Sequence, residues 1–519
     1  MKSKIFLFSY LLLLPLLLFA QTFDQAFKTT DNYCEKIINS TSGEFYVLGN
    51  SLCKYDKNGN QLWKKNVTTP YPSYLQLKGI AIDSVENVYL TGQYSKECTF
   101  EGINFYSSWG GSFFIKLNKN GDLMWSRNIP FALVYNCILK EESINLTGYL
   151  QEGHDVYFDN YLLRHETNGF GGFLVTYNLR GSCIFAVSSL TSRSLNKINS
   201  MVKSAGKIYL TGNFIAASYP FLKSYGNDKY VENIFLVKHN EKGEIEWMKS
   251  AGGKSQDYVT GVTNDRNGNI YITGYTSDYS FPTYFDDIVV NTPGKNNFLA
   301  KFDSLGNAIW VKTFGGDYGE NAWAIWADTL DNIYIIGEFT GSQVYFDDIH
   351  IHSPNPSGAT IYVACYNPWG ESQWALVTDA SQGSGNGYGI TGDDKGNLYI
   401  TGAFDGTMGF GNTTISGNGG YIAKINWTPP ITTGDIEISN SKNFFNVFPN
   451  PSSGKLTIIR NTTKSESIRV RSLTGAILYE NKSNNNTNFS FDLNTAPGIY
   501  YIELETENEK LVRKIVINK

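Results

Sequence analysis

One short phrase recurs seven times along the 519-residue chain, each time closing on glycine. It is Tyr46-Val-Leu-Gly49, Tyr89-Leu-Thr-Gly92, Ile144-Asn-Leu-Thr-Gly148, Tyr209-Leu-Thr-Gly212, Tyr271-Ile-Thr-Gly274, Tyr334-Ile-Ile-Gly337 and Tyr399-Ile-Thr-Gly402. The glycines stand 43, 56, 64, 62, 63 and 65 residues apart. A repeat of this length, built from short alternating strands, stacks copies of one supersecondary unit. Seven four-stranded copies close most naturally into a seven-bladed β-propeller. Such rings host unrelated activities, so the fold does not name a function.

Each repeat carries two further phrases. In Lys301-Phe-Asp303-Ser-Leu-Gly306-Asn-Ala-Ile-Trp310, an acceptor residue lies three before a glycine and an aromatic four after it. The pattern predicts a tight hairpin, with the aromatic plugging the joint between neighbouring blades. Upstream, Asp83, Asp265, Asp328 and Asp393 each open a turn that ends in Asn and leads into the Tyr-x-Thr-Gly strand. A blade is therefore strand A, turn, strand B, long connection, strand C, turn, strand D. The seventh repeat lacks strand D before Pro429-Pro430, and Phe23 to Phe27 sits at the right distance before Gly49 to replace it. Residues 22–29 are expected to complete the last blade and cover an edge.

Composition narrows the function classes. The chain is 15% aromatic, with 50 glycines and a net charge of −5. This is all-β usage, and the lack of a basic block argues against nucleic acid as a partner. Residues 1–20, with Lys2, Lys4 and an apolar run, have the form of a cleaved signal peptide, leaving no membrane span. The six cysteines follow no repeat position or metal spacing, and mostly buried free thiols are expected. Cys137 and Cys183 fall on opposite edges of one predicted blade, too far apart to bond.

After residues 428–440, a polar linker, the texture changes to shorter strands. Residues 441–519 contain Val447-Phe-Pro449-Asn450-Pro451-Ser-Ser-Gly454, then Leu473-Thr-Gly475, Pro497-Gly498-Ile-Tyr500 and Lys514-Ile-Val-Ile-Asn-Lys519. Taken together and in this order, they resemble the type A C-terminal sorting domain of type IX secretion. The resemblance implies a small immunoglobulin-like β-sandwich that engages the type IX machinery. It implies delivery, via the periplasm, to the outside of the outer membrane or into the medium. Within the expected propeller domain at 21–427, residues 22–427 resemble the secreted bacterial seven-bladed propeller repeats, which carry no agreed activity.

No convergent catalytic set emerges, so no catalytic residue, metal or cofactor is assigned. The Asp-x-x-Gly turns supply too few oxygens for a calcium loop. The B-to-C connections repeat a submotif, Phe100-Glu-Gly, Phe158-Asp-Asn, Phe285-Asp-Asp, Phe346-Asp-Asp and Phe410-Gly-Asn, which predicts extra hairpins crowning one face. Asp286, Asp287, Asp347 and Asp348 would place acid there and are the candidate binding residues, against the plainer reading of solvated turns. The sequence therefore points to an exported, non-catalytic binding or adhesion module for an unidentified protein or glycan. An extracellular polysaccharide hydrolase or lyase, or a structural surface component, is the alternative.

Overall fold

The structure is a computed structural model. It describes residues 22–70, 74–164, 170–192, 197–215, 231–254, 256–276, 282–290, 296–393, 396–426, 445–448, 454–460, 467–472, 477–482, 488–496, 498–505 and 510–517. The expected signal peptide and the linker at 428–440 lie outside these residues. The chain divides into two compact modules, Met1–Pro429 and Pro430–Lys519.

Among the described residues, the strands of the first module are hydrogen-bonded into four four-stranded sheets, one six-stranded and one eight-stranded sheet, with small three- and two-stranded pieces beside them. The seven strands that carry the repeated phrase, each with its neighbours, are numbered here as sheets 1 to 7 along the chain. Sheet 1 is Cys34–Asn39, Phe45–Gly49, Leu52–Tyr55 and Gln61–Lys65. Sheet 4 is Lys197–Ser204, Lys207–Ile215, Glu232–His239 and Ile245–Gly252, extended by a hairpin from the next sheet. The long strand Ala308–Ala327 serves first as the outer strand of sheet 5, then as the inner strand of sheet 6. In sheet 7 the outer strand is Thr22–Lys28, which pairs antiparallel with Thr413–Asn426. The N-terminal segment therefore fills the position expected of it. Each inner strand packs against the next, and that of sheet 7 packs against that of sheet 1.

The repeated phrases now have physical causes. The inner strand carries a register shift in all seven sheets, for example between Val259 and Gly261 and between Ala322 and Ala324. The bulge pushes the inner strand onto strand B at the glycine that ends the repeated phrase. A Cβ at Gly148, Gly274, Gly337 or Gly402 would collide with the carbonyl oxygen of Leu133, Tyr258, Asn321 or Asn386. Glycine is required there by close backbone approach. The threonine before it binds strand C, as Thr273 Oγ1 donates to the Phe298 carbonyl at 2.8 Å.

The tyrosine of the phrase ties the A–B turn. Asp265 Oδ1 accepts from the amides of Asn267 and Asn269, while Oδ2 accepts from Asn269 Nδ2 and the Tyr271 hydroxyl, all within 3.1 Å. Asp83 and Asp328 repeat these four bonds. Both oxygens are thus committed to turn chemistry.

The joints between sheets repeat as well. The C–D turn glycines Gly181, Gly306 and Gly370, at φ near +80°, sit against Trp125, Trp247 and Trp310 of the preceding sheet. A lysine from strand C crosses the same joint. Lys301 Nζ lies 4.9 Å from the Tyr271 ring centroid and donates to the Pro368 carbonyl at 3.1 Å. Lys54, Lys116 and Lys238 do the same with their own tyrosines and carbonyls. Gly59 of sheet 1 sits on Phe27, so the N-terminal strand carries the aromatic that the other outer strands carry as tryptophan or phenylalanine.

All six cysteines are free, five of them buried. Cys137 and Cys183 do lie on opposite edge strands of sheet 3.

Among the described residues, the second module has two antiparallel sheets. Phe445–Phe448, Lys455–Arg460 and Asn488–Asp492 form one. Ile477–Lys482, Ser467–Ser472, Gly498–Glu505 and Lys510–Ile517 form the other. One apolar cluster joins them, with Leu456 and Ile458 from the first and Val470, Ile502 and Ile515 from the second. Tyr500 is buried, and its hydroxyl donates to the Ala496 carbonyl at 2.7 Å, pinning the loop before its strand. Gly454, at φ +117°, accepts the Leu493 amide on its carbonyl. Gly498 opens a strand and Lys514 lies in the last one. Pro449, Asn450, Pro451 and Gly475 lie outside the described residues.

Candidate functional site

The B-to-C hairpins form where the Phe submotif predicted them: Glu97–Phe100 with Ile103–Tyr106, Val156–Phe158 with Tyr161–Leu163, and Thr283–Phe285 with Ile288–Val290. Their position departs from a crown. Phe285 and Tyr284 pair with Ala251 and Gly252 at the end of the outer strand of sheet 4. Tyr345 and Val344 pair likewise with Gly315 and Gly316, and Phe100 and Thr99 with Val67 and Thr68. Each of these hairpins of one sheet docks on the outer strand end of the sheet before it, because that edge offers unpaired backbone groups.

The acids at the hairpin tips follow from this. Asp159, Asp286 and Asp347 take left-handed φ of 52°, 49° and 50°. Asp286 accepts the Ala308 amide at 2.9 Å and pairs with Lys249 of the preceding sheet at 3.5 Å. Asp347 accepts the Ser372 amide at 3.2 Å and pairs with Lys312 at 3.6 Å. Asp159 does the same with Cys183 and Arg127. Two of the four candidate acids are therefore fasteners between sheets. Asp287 and Asp348 are exposed beside them.

A different group converges at the axis. The register shift leaves one unpaired residue in each inner strand: Glu35, Lys78, Tyr135, Asn199, Thr260, Trp323 and Tyr388. All seven line one cavity of about 1040 Å³, joined by Tyr33, Lys36, Gln76, Glu232, Tyr258 and Tyr275. The shift lies near the start of the inner strand, opposite the glycine after which strand B leaves for its hairpin. The ring of bulged residues is thus at the end of the cavity that faces the B-to-C connections.

Some of these side chains hold the frame. Asn199 Nδ2 donates to the Val259 carbonyl at 2.8 Å, and Thr260 Oγ1 to the Ala322 carbonyl at 2.7 Å, tying each inner strand to the next. The others present aromatic faces and charge. Trp323 Nε1 donates to Glu338 at 2.5 Å, and its ring meets Tyr388 edge-on at 5.9 Å between centroids. Tyr258 and Tyr275 pack at 5.0 Å, and the Tyr258 hydroxyl donates to Gln256. Tyr135 packs against Tyr149 at 5.3 Å, with Lys78 Nζ 5.8 Å from its ring centroid and 3.8 Å from Glu35.

Burial raises the hydroxyl pKa of Tyr33, Tyr135, Tyr275 and Tyr388, and pushes Tyr258 up to about 12. Nearby carboxylates act in the same direction, Glu232 on Tyr258 and Tyr275 and Glu338 on Tyr388. Burial lowers Lys36 and Lys78, while Glu35 opposes the shift in both. Neutral phenols that both donate and accept, amides, and charges of both signs suit recognition of a polar ligand with apolar faces.

The sequence reading did not single out these residues. Their signal is a fixed offset: each stands 13 or 14 residues before the glycine of the repeated phrase, and its identity changes from repeat to repeat.

Residues 446–518 match the family described as secretion system C-terminal sorting domain, and residues 246–282 match a β-propeller repeat family. The sorting domain marks the chain for secretion or cell-surface attachment through the type IX system, with whose machinery it interacts. A WD repeat-containing protein of Acanthamoeba polyphaga mimivirus is 28% identical over 196 residues, 33% of this chain. That match spans 14% of the viral protein. Among solved structures, Drosophila Semaphorin 2a is similar at 9% identity and a TM-score of 0.41, over 92% of this chain and 95% of its own. Sqt1 of Saccharomyces cerevisiae is similar at 9% identity and a TM-score of 0.40, over 79% and 99%.

Proposed function

We propose that this exported chain is a non-catalytic binding or adhesion module on a closed seven-bladed ring, and that its ligand enters the central cavity from the face of the B-to-C connections. One observation carries the reading. A single register position, set by the same bulge in every sheet, bears Glu, Lys, Tyr, Asn, Thr, Trp and Tyr in turn. Positions that serve the fold repeat their residue, as the glycines and turn acids do. A position that varies on a constant frame is free to specify a ligand. Asp287 and Asp348 stand apart from the cavity mouth, at hairpin tips that lie beside Ala308 and Ser372, the first residues of the outer strands.

The test is capture of peptide and glycan arrays by the mature chain, with the same polymers assayed for cleavage. Saturable binding without turnover, weakened by Trp323→Ala, is expected. Turnover of a polymer would replace this reading with that of a hydrolase or lyase.

A further inference from the structure

Resting on that reading, we propose that the mouth of the central cavity holds the end of an uncharged, hydroxyl-rich carbohydrate chain. Three features of the mouth converge on this class.

The first is the aromatic lining. Tyr33, Tyr135, Tyr258, Tyr275, Trp323 and Tyr388 all border the cavity. A pyranose ring has apolar C–H faces and a rim of hydroxyls. Flat aromatic side chains cover the faces, and polar groups between them meet the rim. Gln76 supplies an amide among the rings. The Tyr135 and Tyr258 hydroxyls, whose protons go to Tyr149 and Gln256, keep lone pairs that accept from a sugar hydroxyl.

The second is charge. The cavity is lined by Glu35 and Glu232 but also by Lys36 and Lys78, with Glu338 behind Trp323. A ligand with a net charge of either sign would meet a like charge across the opening. A neutral one would not, and its hydroxyls could bond to both kinds of group. Lys78 and Glu35, 3.8 Å apart, already offset each other.

The third is preorganisation. The Trp323 indole is fixed by its bond to Glu338 and its edge contact with Tyr388. Tyr258 is held by Gln256 and Tyr275, and Tyr135 by Tyr149. Rings that are already oriented lose little freedom when a ligand arrives. The cavity of about 1040 Å³ is larger than a single sugar needs, so a chain end fits it better than a monosaccharide.

The experiment is calorimetric and tryptophan-fluorescence titration of the full mature chain. The probes are cellotetraose, maltotetraose, laminaritetraose and chitotetraose, with an acidic and a basic decapeptide as comparators. At least one neutral tetrasaccharide should bind saturably below about 10 mM. Trp323→Ala and Tyr388→Ala should weaken it by about tenfold or more. Trp109→Ala, at a residue 72% exposed and outside the cavity lining, should leave it unchanged. Should Trp323→Ala lower the melting temperature, Trp323→Phe and Tyr135→Ala replace it as the site variants. If no tetrasaccharide binds while a peptide binds in a Trp323-dependent way, the carbohydrate class is overturned and the binding module stands. If no probe binds, the carbohydrate class is likewise overturned. Binding that is indifferent to Trp323, Tyr388 and Tyr135 would overturn both the class and the site. Cleavage of a bound tetrasaccharide would keep the ligand class and overturn the non-catalytic reading.

Discussion

Gly274 shows how much a single residue settles here. Its missing side chain leaves room for the Tyr258 carbonyl, and that contact is what lets the inner strand bulge toward the axis. Gly274→Ala should cost on the order of 2 kcal/mol, because the obstacle is backbone and cannot rotate away. Gly268, at φ +78° with open space around it, should cost about 1 kcal/mol on the same change, from strain alone. Urea unfolding midpoints of the two variants would separate these causes. His239 offers a second residue-level test. It is fully buried, its Nδ1–H donates to the Gly243 carbonyl at 2.8 Å, and its Nε2 accepts from Ser189 at 2.9 Å. Burial lowers its pKa from 6.5, with the bond to Gly243 opposing. The unfolded chain therefore takes up a proton first as pH falls. The stability this residue contributes is full above about pH 6.5 and is lost as pH drops toward the folded-state value. Unfolding midpoints should decline from about pH 7 to about pH 5, and His239→Gln should flatten that slope.

Among the elements, the B-to-C hairpins changed most between expectation and structure. Their existence and their Phe-led turns were legible, since a Phe before two turn formers and an alternating run is local information. Their docking was not, because it depends on an outer strand about 35 residues earlier offering a free edge, as Ala251 does to Phe285. The acids inherit that difference. Asp286→Ala and Asp347→Ala should each lower stability by about 1 kcal/mol, since each removes the acceptor of a strand amide and one half of an ion pair. Asp287→Asn and Asp348→Asn should stay within about 0.5 kcal/mol, as ordinary exposed positions do. Thermal melts of the four single variants check this. An Asp286→Ala protein as stable as the parent would reject the fastener role.

For the whole molecule, the N-terminal strand decides whether the ring is closed. Thr22–Lys28 pairs along Thr413–Asn426, and Phe27 fills the joint against Gly59. Removing residues 22–28 should expose the edge of sheet 7 and lower both solubility and melting temperature. Phe27→Ala, which leaves the backbone pairing intact, should give a smaller loss of melting temperature. A deletion variant as soluble and stable as the parent would refute closure. Export should depend on the other end. Deleting residues 446–518 should leave the propeller folded and trapped in the periplasm, which cell fractionation would show.

The amino-acid sequence alone determined the repeat, the strand order within each sheet, the tight turns and the sorting domain. All of these rest on residues close together in the chain: Asp265 with Asn269 and Tyr271, or Gly306 with Asp303. Even closure of the ring could be inferred, because the missing strand left a gap in an otherwise regular count. Only the tertiary structure decided which residues face the axis. A bulge shifts register by one residue, and one residue reverses which side of a strand a side chain occupies. That shift is set by contact between two backbones, at Gly337 and Asn321 for example, and by the neighbouring inner strand. It placed Trp323, Tyr388 and Tyr135 in the lining of a shared cavity, and their convergence depends on inner strands far apart in the chain meeting around one axis.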